Sequence, residues 1–332
     1  MIVKDSMAPF ELFQPATLKD AFSVLDSYGK DAWKMGGGYD SMDWFKDRIV
    51  RPKAVVELTG IPEMKGIKET ADGVEIGALT SLTEIENNPV IKSKYRLLAD
   101  AVGHVASPQI RNHGTIGGNA SQNARCLYFR YGLPCYRAGG TTCFADTPEG
   151  INREHALFGA DRCIAVTSSD GSPALTALDA KFVLQSSSGE RVLGAEEFFV
   201  GPNIDITRLT ATKPEEILTA IRLPKTWANA NFYFEKVTDR NAWDFPLVNV
   251  AAAIRVNNGT VADSRIVVGG VAAIPQRLTG IEQIIKGKAL DANIASVAGQ
   301  SASRGARPVN YNGFKIPLMS NLVMRAVREA KA

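Results

Sequence analysis

Apolar and polar positions repeat with two periods along this chain, and the switches between them mark its elements. Between residues 10 and 30 a short strand pattern and a proline turn give way to helical spacing, with Ala21, Phe22, Leu25 and Tyr28 on one face. Thr17 is the expected N-cap of that helix and Gly29 its stop. Strand-like runs follow at 32–35, 54–58 and 74–79. The last leads through Thr80, as an N-cap, into a helix ending near Glu86, and 94–106 also reads as helix. Strand patterns return at 163–166, then as a hairpin of 180–185 and 190–193 around Ser188-Gly189, and at 215–223 before Pro224. Three further strands, 231–237, 248–256 and 264–271, have hairpin spacing, with Asn258-Gly259 as the turn between the second and third. Helical patterns over 278–287, 291–301 and 316–331 close the chain.

Two stretches follow neither period. Residues 107–120 are rich in turn formers, and 124–161 mix Gly, Pro, Arg and aromatic residues. The second stretch has too little regular apolar pattern to order itself and calls for another staple. The alternation of strands and helices gives an α+β fold. A length of 332 residues exceeds what one compact core usually holds. The expected division is 1–225 and 226–332.

Composition narrows the function little. Hydrophobic residues at 45% and charged residues at 22% are ordinary for a globular protein. A net charge of +3, without a basic run, gives no argument for nucleic acid. Residues 1–15 carry two acids and no long apolar stretch, so no secretory signal is expected there. No window approaches 18 consecutive apolar residues, so no membrane span is expected. The chain by itself reads as cytoplasmic, or periplasmic if a signal-bearing partner exports it.

Three motifs carry candidate chemistry. Met35-Gly36-Gly37-Gly38-Tyr39-Asp40-Ser41 places three glycines after a strand. Without Cβ atoms, several backbone N–H groups can turn toward one anion, a pyrophosphate above all. A merely flexible turn is the competing reading. Thr115-Ile116-Gly117-Gly118-Asn119 offers a second close-approach loop about 75 residues on. Two such loops favour a ligand with a long diphosphate body. Neither matches G-x-G-x-x-G after a first strand, so this is not a Rossmann site. Third, the only four cysteines, Cys126, Cys135, Cys143 and Cys163, fall within 38 residues, spaced C-x8-C-x7-C-x19-C. Four thiolates suit zinc or a [4Fe–4S] cluster. The long uneven spacings lack zinc's tight knuckles and favour the cluster, with inert core cysteines as the alternative. Arg125, Arg130 and Arg137 either offset thiolate charge or face solvent. His104, His113 and His155 are isolated in sequence and read as structural. No catalytic triad appears, which suits chemistry carried by a cofactor.

The two glycine motifs, Pro108-Gln109-Ile110-Arg111-Asn112 upstream of the second, Ile76-Gly77-Ala78-Leu79-Thr80, Ser169-Asp170, 215–218 and Val268-Gly269-Gly270-Val271 with Pro275 resemble the FAD-binding subunit of the xanthine dehydrogenase and carbon monoxide dehydrogenase family. The resemblance covers nearly the whole chain. The cysteine segment resembles the [4Fe–4S] insertion of the flavin subunits of 4-hydroxybenzoyl-CoA reductase and periplasmic aldehyde oxidoreductase. It implies a PCMH-type FAD-binding fold of two α/β subdomains, with 124–163 as the insertion, then an antiparallel sheet with helices. It implies FAD held by Lys34, Met35, Gly36, Gly37, Gly38, Tyr39, Asp40 and Ser41 on one side. Ala106, Thr115, Gly117, Gly118 and Asn119 would lie on the other. Ser169 and Asp170 would lie near the cofactor, and Leu218 and Lys236 near the isoalloxazine. It implies the four cysteines as cluster ligands. Electrons would come from a molybdopterin-binding large subunit through a [2Fe–2S] small subunit and leave to an external acceptor. Tyr39, where the family usually has a small hydroxyl residue, and Gly36, where Ala is frequent, depart from the pattern. A stand-alone flavin oxidoreductase and a zinc-stapled scaffold are the other readings of the same residues.

Overall fold

The computed structural model describes residues 7–330. The start of the 1–15 segment and the last residue of the helix expected over 316–331 fall outside that range.

The first sheet is small and parallel. Strands β1 (Glu11–Phe13), β2 (Ala32–Met35) and β3 (Ala54–Glu57) lie in the order β1-β3-β2. Parallel neighbours need crossovers, and the chain supplies two helices. Leu18–Tyr28 leads into β2, capped by Thr17 accepting from the Asp20 amide and ended by Gly29 at φ 52°. Tyr39–Lys46 leads from β2 toward β3. The glycine loop therefore leaves the carboxyl end of a parallel strand, where such sheets place ligands.

The second sheet is antiparallel and has five strands: β4 (Ile67–Thr70), β5 (Gly73–Gly77), β6 (Lys181–Ser186), β7 (Gly189–Gly194) and β8 (Ile217–Pro224), in the order β4-β5-β8-β6-β7. Helices Leu82–Asn87, Arg96–Gly103 and Gly171–Ala177 pack with it into the main core, around Ile76, Leu98, Leu175, Phe182 and Ile221. The third sheet is antiparallel, with β9 (Asn231–Val237), β10 (Val248–Asn257), β11 (Thr260–Gly269) and β12 (Gln276–Arg277). Helices Thr279–Ile285, Ala292–Ser301 and Lys315–Glu329 contribute to a second core with Val250, Ile266, Leu322 and Val323. The architecture is mixed α+β, as expected.

Several local expectations differ from the structure. Thr80 does not cap a helix, because its hydroxyl is held by both the N–H and the carbonyl of Gly66. Ser81 caps instead, in a reciprocal box with Glu84. The turn-rich 107–120 contains two short helices, Pro108–His113 and Ile116–Ala120, each started by a hydroxyl cap from Ser107 or Thr115. The 163–166 run is not a strand. The Ile164 carbonyl accepts from Ala156, while the Thr167 amide donates to Ala272, so no ladder forms with one partner. The cysteine segment lies on two small satellite cores, one around Ala124, Ala165, Leu209 and Ala273, the other around Ala145, Ala156 and Ile164.

Candidate functional site

The chain leaves β2 at Met35 and turns through Gly36, Gly37 and Gly38, the last at φ 83°. A Cβ on Gly37 would stand 2.3 Å from the His113 carbonyl oxygen, and one on Gly36 would stand 3.1 Å from Thr115 Oγ1. The first glycine loop is thus pressed against the segment that leads into the second, and at Gly37 only glycine fits that approach. Thr115 holds the second loop by accepting from the Gly118 amide at 3.1 Å. Gly117 rests on Ala78, whose oxygen would lie 2.8 Å from an added Cβ.

A cleft runs between the loops as two adjoining cavities of about 260 and 150 Å³, which share Trp33, Lys34, Gly36, Thr115, Gly118 and Ser121. The larger is floored by Leu58, Met64, Leu79 and Leu218 and also meets Gly117. The smaller is lined by Gly37, Gly38, Tyr39, Asp40, Ser41 and Asn119. Among the described residues, the amides of Gly37 and Gly38 donate to no other group. These are the free backbone donors that an anion cradle needs.

Not every expected residue lines the cleft. Met35 packs beneath it, in the small core of Trp44, Phe45 and Val55. Ala106, at φ 43°, accepts from the Trp243 amide at 2.8 Å. Ser169, Asp170 and Lys236 form a buried network behind the second loop. Ser169 Oγ donates to Asn119 Oδ1 at 2.7 Å, so this network is one bond from the cleft. Asp170 takes Lys236 Nζ at 2.7 Å and Asn249 Nδ2 at 3.1 Å. Burial pushes the Asp170 carboxyl up to about 6, against the pull of Lys236 and Asn249. The Lys34 ammonium is taken up by the carbonyls of Lys213, Pro214 and Glu216 at 2.8, 3.1 and 2.8 Å. It therefore straps the 213–216 loop beside the cleft, and burial lowers its pKa to about 8. Thr210 and Thr212, which also line the larger cavity, were not expected from sequence. They lie on an irregular loop with no glycine or periodic signal, and only the tertiary fold brings them in.

Asp40 joins this cleft to the cysteine segment. Its Oδ1 accepts from Arg125 at 2.8 Å and Arg130 at 3.1 Å, and its Oδ2 from Trp44 Nε1 at 3.1 Å. Arg130 also stacks over the Trp44 ring at 3.9 Å. Of Arg125, Arg130 and Arg137, the first two are therefore occupied by a carboxylate.

The four cysteines are all free thiols and all line one cavity of about 20 Å³. Burial pushes the Cys126 thiol up to about 11, opposed by the Phe129 and Tyr128 amides. Cys163 is raised by burial too, opposed by the Ala165 amide and Arg137. Arg137 is 5% exposed. Its guanidinium donates to the Ile206 and Thr207 carbonyls and to Asn123, yet its Nε is buried without a partner. No carboxylate pairs with it among the described residues. A buried cation with no counter-charge is costly, and the nearest groups able to become anions are the cysteines. His155, read from sequence as isolated, is beside them, with Nε2 3.4 Å from Cys126 Sγ. As they stand, no three His, Cys, Asp or Glu side chains among the described residues are arranged to hold a metal ion. The thiols converge on one pocket without forming a closed ligand set.

The fold and cleft define a FAD-binding subunit: residues 8–226 match the family described as the FAD binding domain in molybdopterin dehydrogenase. Residues 233–330 match the CO dehydrogenase flavoprotein C-terminal domain. The chain belongs to the family of FAD-binding medium subunits of molybdenum hydroxylases of the xanthine dehydrogenase and CO dehydrogenase type. It is 31% identical to the aldehyde oxidoreductase FAD-binding subunit PaoB of Escherichia coli (strain K12), over 90% of this chain and 91% of that one. It is 27% identical to the carbon monoxide dehydrogenase medium chain of Hydrogenophaga pseudoflava, over 97% of each. A solved structure of carbon monoxide dehydrogenase from Hydrogenophaga pseudoflava superposes with a TM-score of 0.76 at 27% identity, over 98% of both chains. No helix among the described residues is long and apolar enough to cross a membrane.

Proposed function

We propose that this chain is the electron-transfer subunit of a three-subunit molybdenum hydroxylase, holding FAD in the glycine cleft and a [4Fe–4S] cluster on Cys126, Cys135, Cys143 and Cys163. The observation that carries it is the meeting of two glycine loops around a cleft with free amides at Gly37 and Gly38. In this reading those amides and the first turn of Tyr39–Lys46 take the pyrophosphate, and Thr115, Gly118 and Asn119 bound it opposite. Leu58, Met64, Leu79 and Leu218 offer the apolar floor that a ring system needs. Ser169, Asp170 and Lys236 act through Asn119 rather than by contact. The chain divides at about residue 225, with 124–163 inserted in its first part.

The cysteine pocket fits a thiolate-bound cluster on three counts. Four free thiols share one cavity. The Phe129 and Tyr128 amides favour an anionic Cys126, and the Ala165 amide favours an anionic Cys163. Arg137 supplies a buried positive charge that only anionic sulfur balances. A bound FAD supplies exchange between two-electron and one-electron carriers, and a cluster supplies a one-electron relay. The chain itself provides no substrate-facing acid or base: Asp40 is ion-paired with two arginines and the Lys34 ammonium is held by three carbonyls. This favours electron transfer over a stand-alone oxidoreductase. Relatives carry the names medium chain and FAD-binding subunit, which implies companions. The partners in this reading are a molybdopterin-binding large subunit, a [2Fe–2S] small subunit and an external acceptor. The complex lies in the cytoplasm, or in the periplasm if a partner directs export.

The test is an anaerobic visible spectrum of the purified chain, with FAD, iron and zinc quantified. The expected result is FAD near one and iron near four per chain. FAD without iron removes the cluster from the reading. Zinc without flavin overturns it.

A further inference from the structure

His155 has no role in the reading above, yet the fold fixes it with care. It is 7% exposed. Its carbonyl is held by Asn312 Nδ2 at 3.0 Å and Lys315 Nζ at 3.1 Å, and its amide donates to Asn152. With the backbone pinned on both sides, Nε2 lies 3.4 Å from Cys126 Sγ. The other ring nitrogen, Nδ1, is buried and has no partner.

That asymmetry assigns the proton. A neutral imidazole carries one N–H. On Nδ1 it would be a buried donor with nothing to meet, the costly arrangement. On Nε2 it points at sulfur and leaves only an unused acceptor, which buried structures tolerate better. We propose that His155 is a positioning residue that donates its Nε2–H to Cys126 Sγ and thereby raises the reduction potential of a cluster held by the four cysteines. The inference rests on the [4Fe–4S] reading. A hydrogen bond to a ligand sulfur stabilises the extra negative charge of the reduced state, so its loss lowers the potential. His155 and Cys126, with Ala165, line both the cysteine cavity and a more open one of about 250 Å³ that also meets Phe245. A substitute must therefore keep the bulk of the ring if water access is to stay unchanged.

The experiment is a redox titration of the cluster in the full chain, purified anaerobically with its cofactors and followed by electron paramagnetic resonance. Wild type is compared with His155→Leu, which keeps bulk without a donor, and His155→Gln, which restores an N–H. Iron and FAD per chain are measured on each sample. The expected result is iron near four in all three. In His155→Leu the ratio of reduced to oxidised cluster at a fixed potential falls about tenfold, the usual worth of a hydrogen bond to a charged group, or about 59 mV for one electron. His155→Gln recovers most of that shift. An unchanged potential in an iron-replete His155→Leu chain overturns the proposal and leaves the cluster standing. A wild-type chain without iron overturns the cluster reading itself. If His155→Leu loses its iron, ¹⁵N-histidine labelling of the wild type decides. A weak nitrogen coupling to the cluster supports donation through hydrogen. A strong coupling makes His155 a ligand and overturns donation, and no coupling overturns it as well.

Discussion

Arg137 concentrates the electrostatics of the cysteine segment in one side chain. Its carbonyl and amide acceptors satisfy part of the guanidinium, but they bring no negative charge. Burial alone lowers its pKa, and the influences that raise it come from Cys163, Cys135 and Cys126. The same burial pushes Cys126 and Cys163 up and favours their neutral thiols, so as thiols they bring the buried guanidinium no negative charge. Thiolates formed on binding a metal or cluster would supply that charge, since ligation deprotonates sulfur. Arg137→Met is therefore expected to cut the iron retained after anaerobic desalting to less than half of wild type while FAD per chain stays near one. Arg137→Lys should hold an intermediate amount, because it keeps the charge and loses the fork of donors. Iron and flavin assays on the same samples check this. Wild-type iron in Arg137→Met would mean that the guanidinium only braces the Ile206 and Thr207 carbonyls.

The helix Tyr39–Lys46 works in two directions, and the sequence showed only one of them. Its N-terminal loop stood out in the sequence as a candidate anion cradle, with a flexible turn as the competing reading, because three consecutive glycines follow a strand. That Asp40, in its first turn, would turn away to hold Arg125 and Arg130 was not legible, since it depends on a contact between residues 85 and 90 positions apart. The regular elements were readable for the converse reason. Thr17, Gly29 and the Asn258-Gly259 turn, with both residues at positive φ, act within a few residues of themselves. The failures have the same origin. Thr80 and Ser81 are both cap-type residues, and a tertiary bond to Gly66 takes the Thr80 hydroxyl out of the choice. His155 looked isolated because Cys126 is 29 residues away in sequence. Asp40→Asn tests the coupling between loop and insertion. Arg130 is 10% exposed at its side chain, so the loss is expected to cost about 2 kcal/mol, within the range for hydrogen bonds to charged groups. Hydrogen exchange should rise in 124–137 more than in β5 or β8. Uniform exchange across these segments would show that the insertion is held by other contacts.

At the scale of the whole molecule, the cysteine segment lies between two bodies: the five-stranded sheet with its helices and the four-stranded sheet with its own. Lys236 reaches from β9 to Asp170, Asn249 reaches from β10 to the same carboxylate, and Lys315 ties the last helix to the end of the insertion. Lys315 is the most exacting of these. Fully buried, its ammonium donates to the carbonyls of Glu154 and Gly270 at 2.8 and 2.7 Å, and to that of His155. Burial pushes its pKa down to about 7, helped by Arg153 and opposed by Glu154. In the unfolded chain the same lysine titrates near 10.4. Between about pH 7 and 10.4 the unfolded chain therefore binds the proton more strongly than the folded one, and linkage makes this group's contribution to stability grow as pH rises through that window. Below pH 7 both states are charged and the contribution is flat. Lys315→Met removes the titration but leaves three carbonyls short of a donor, so the variant should be less stable at pH 7. The difference between wild type and Lys315→Met should then widen from pH 7 to pH 10. Thermal unfolding of both chains at unit steps of pH measures it. A difference that is constant, or that narrows with pH, would mean that the lysine is charged in the fold throughout and that its three carbonyls, with Glu154, hold the ammonium more tightly than burial weakens it.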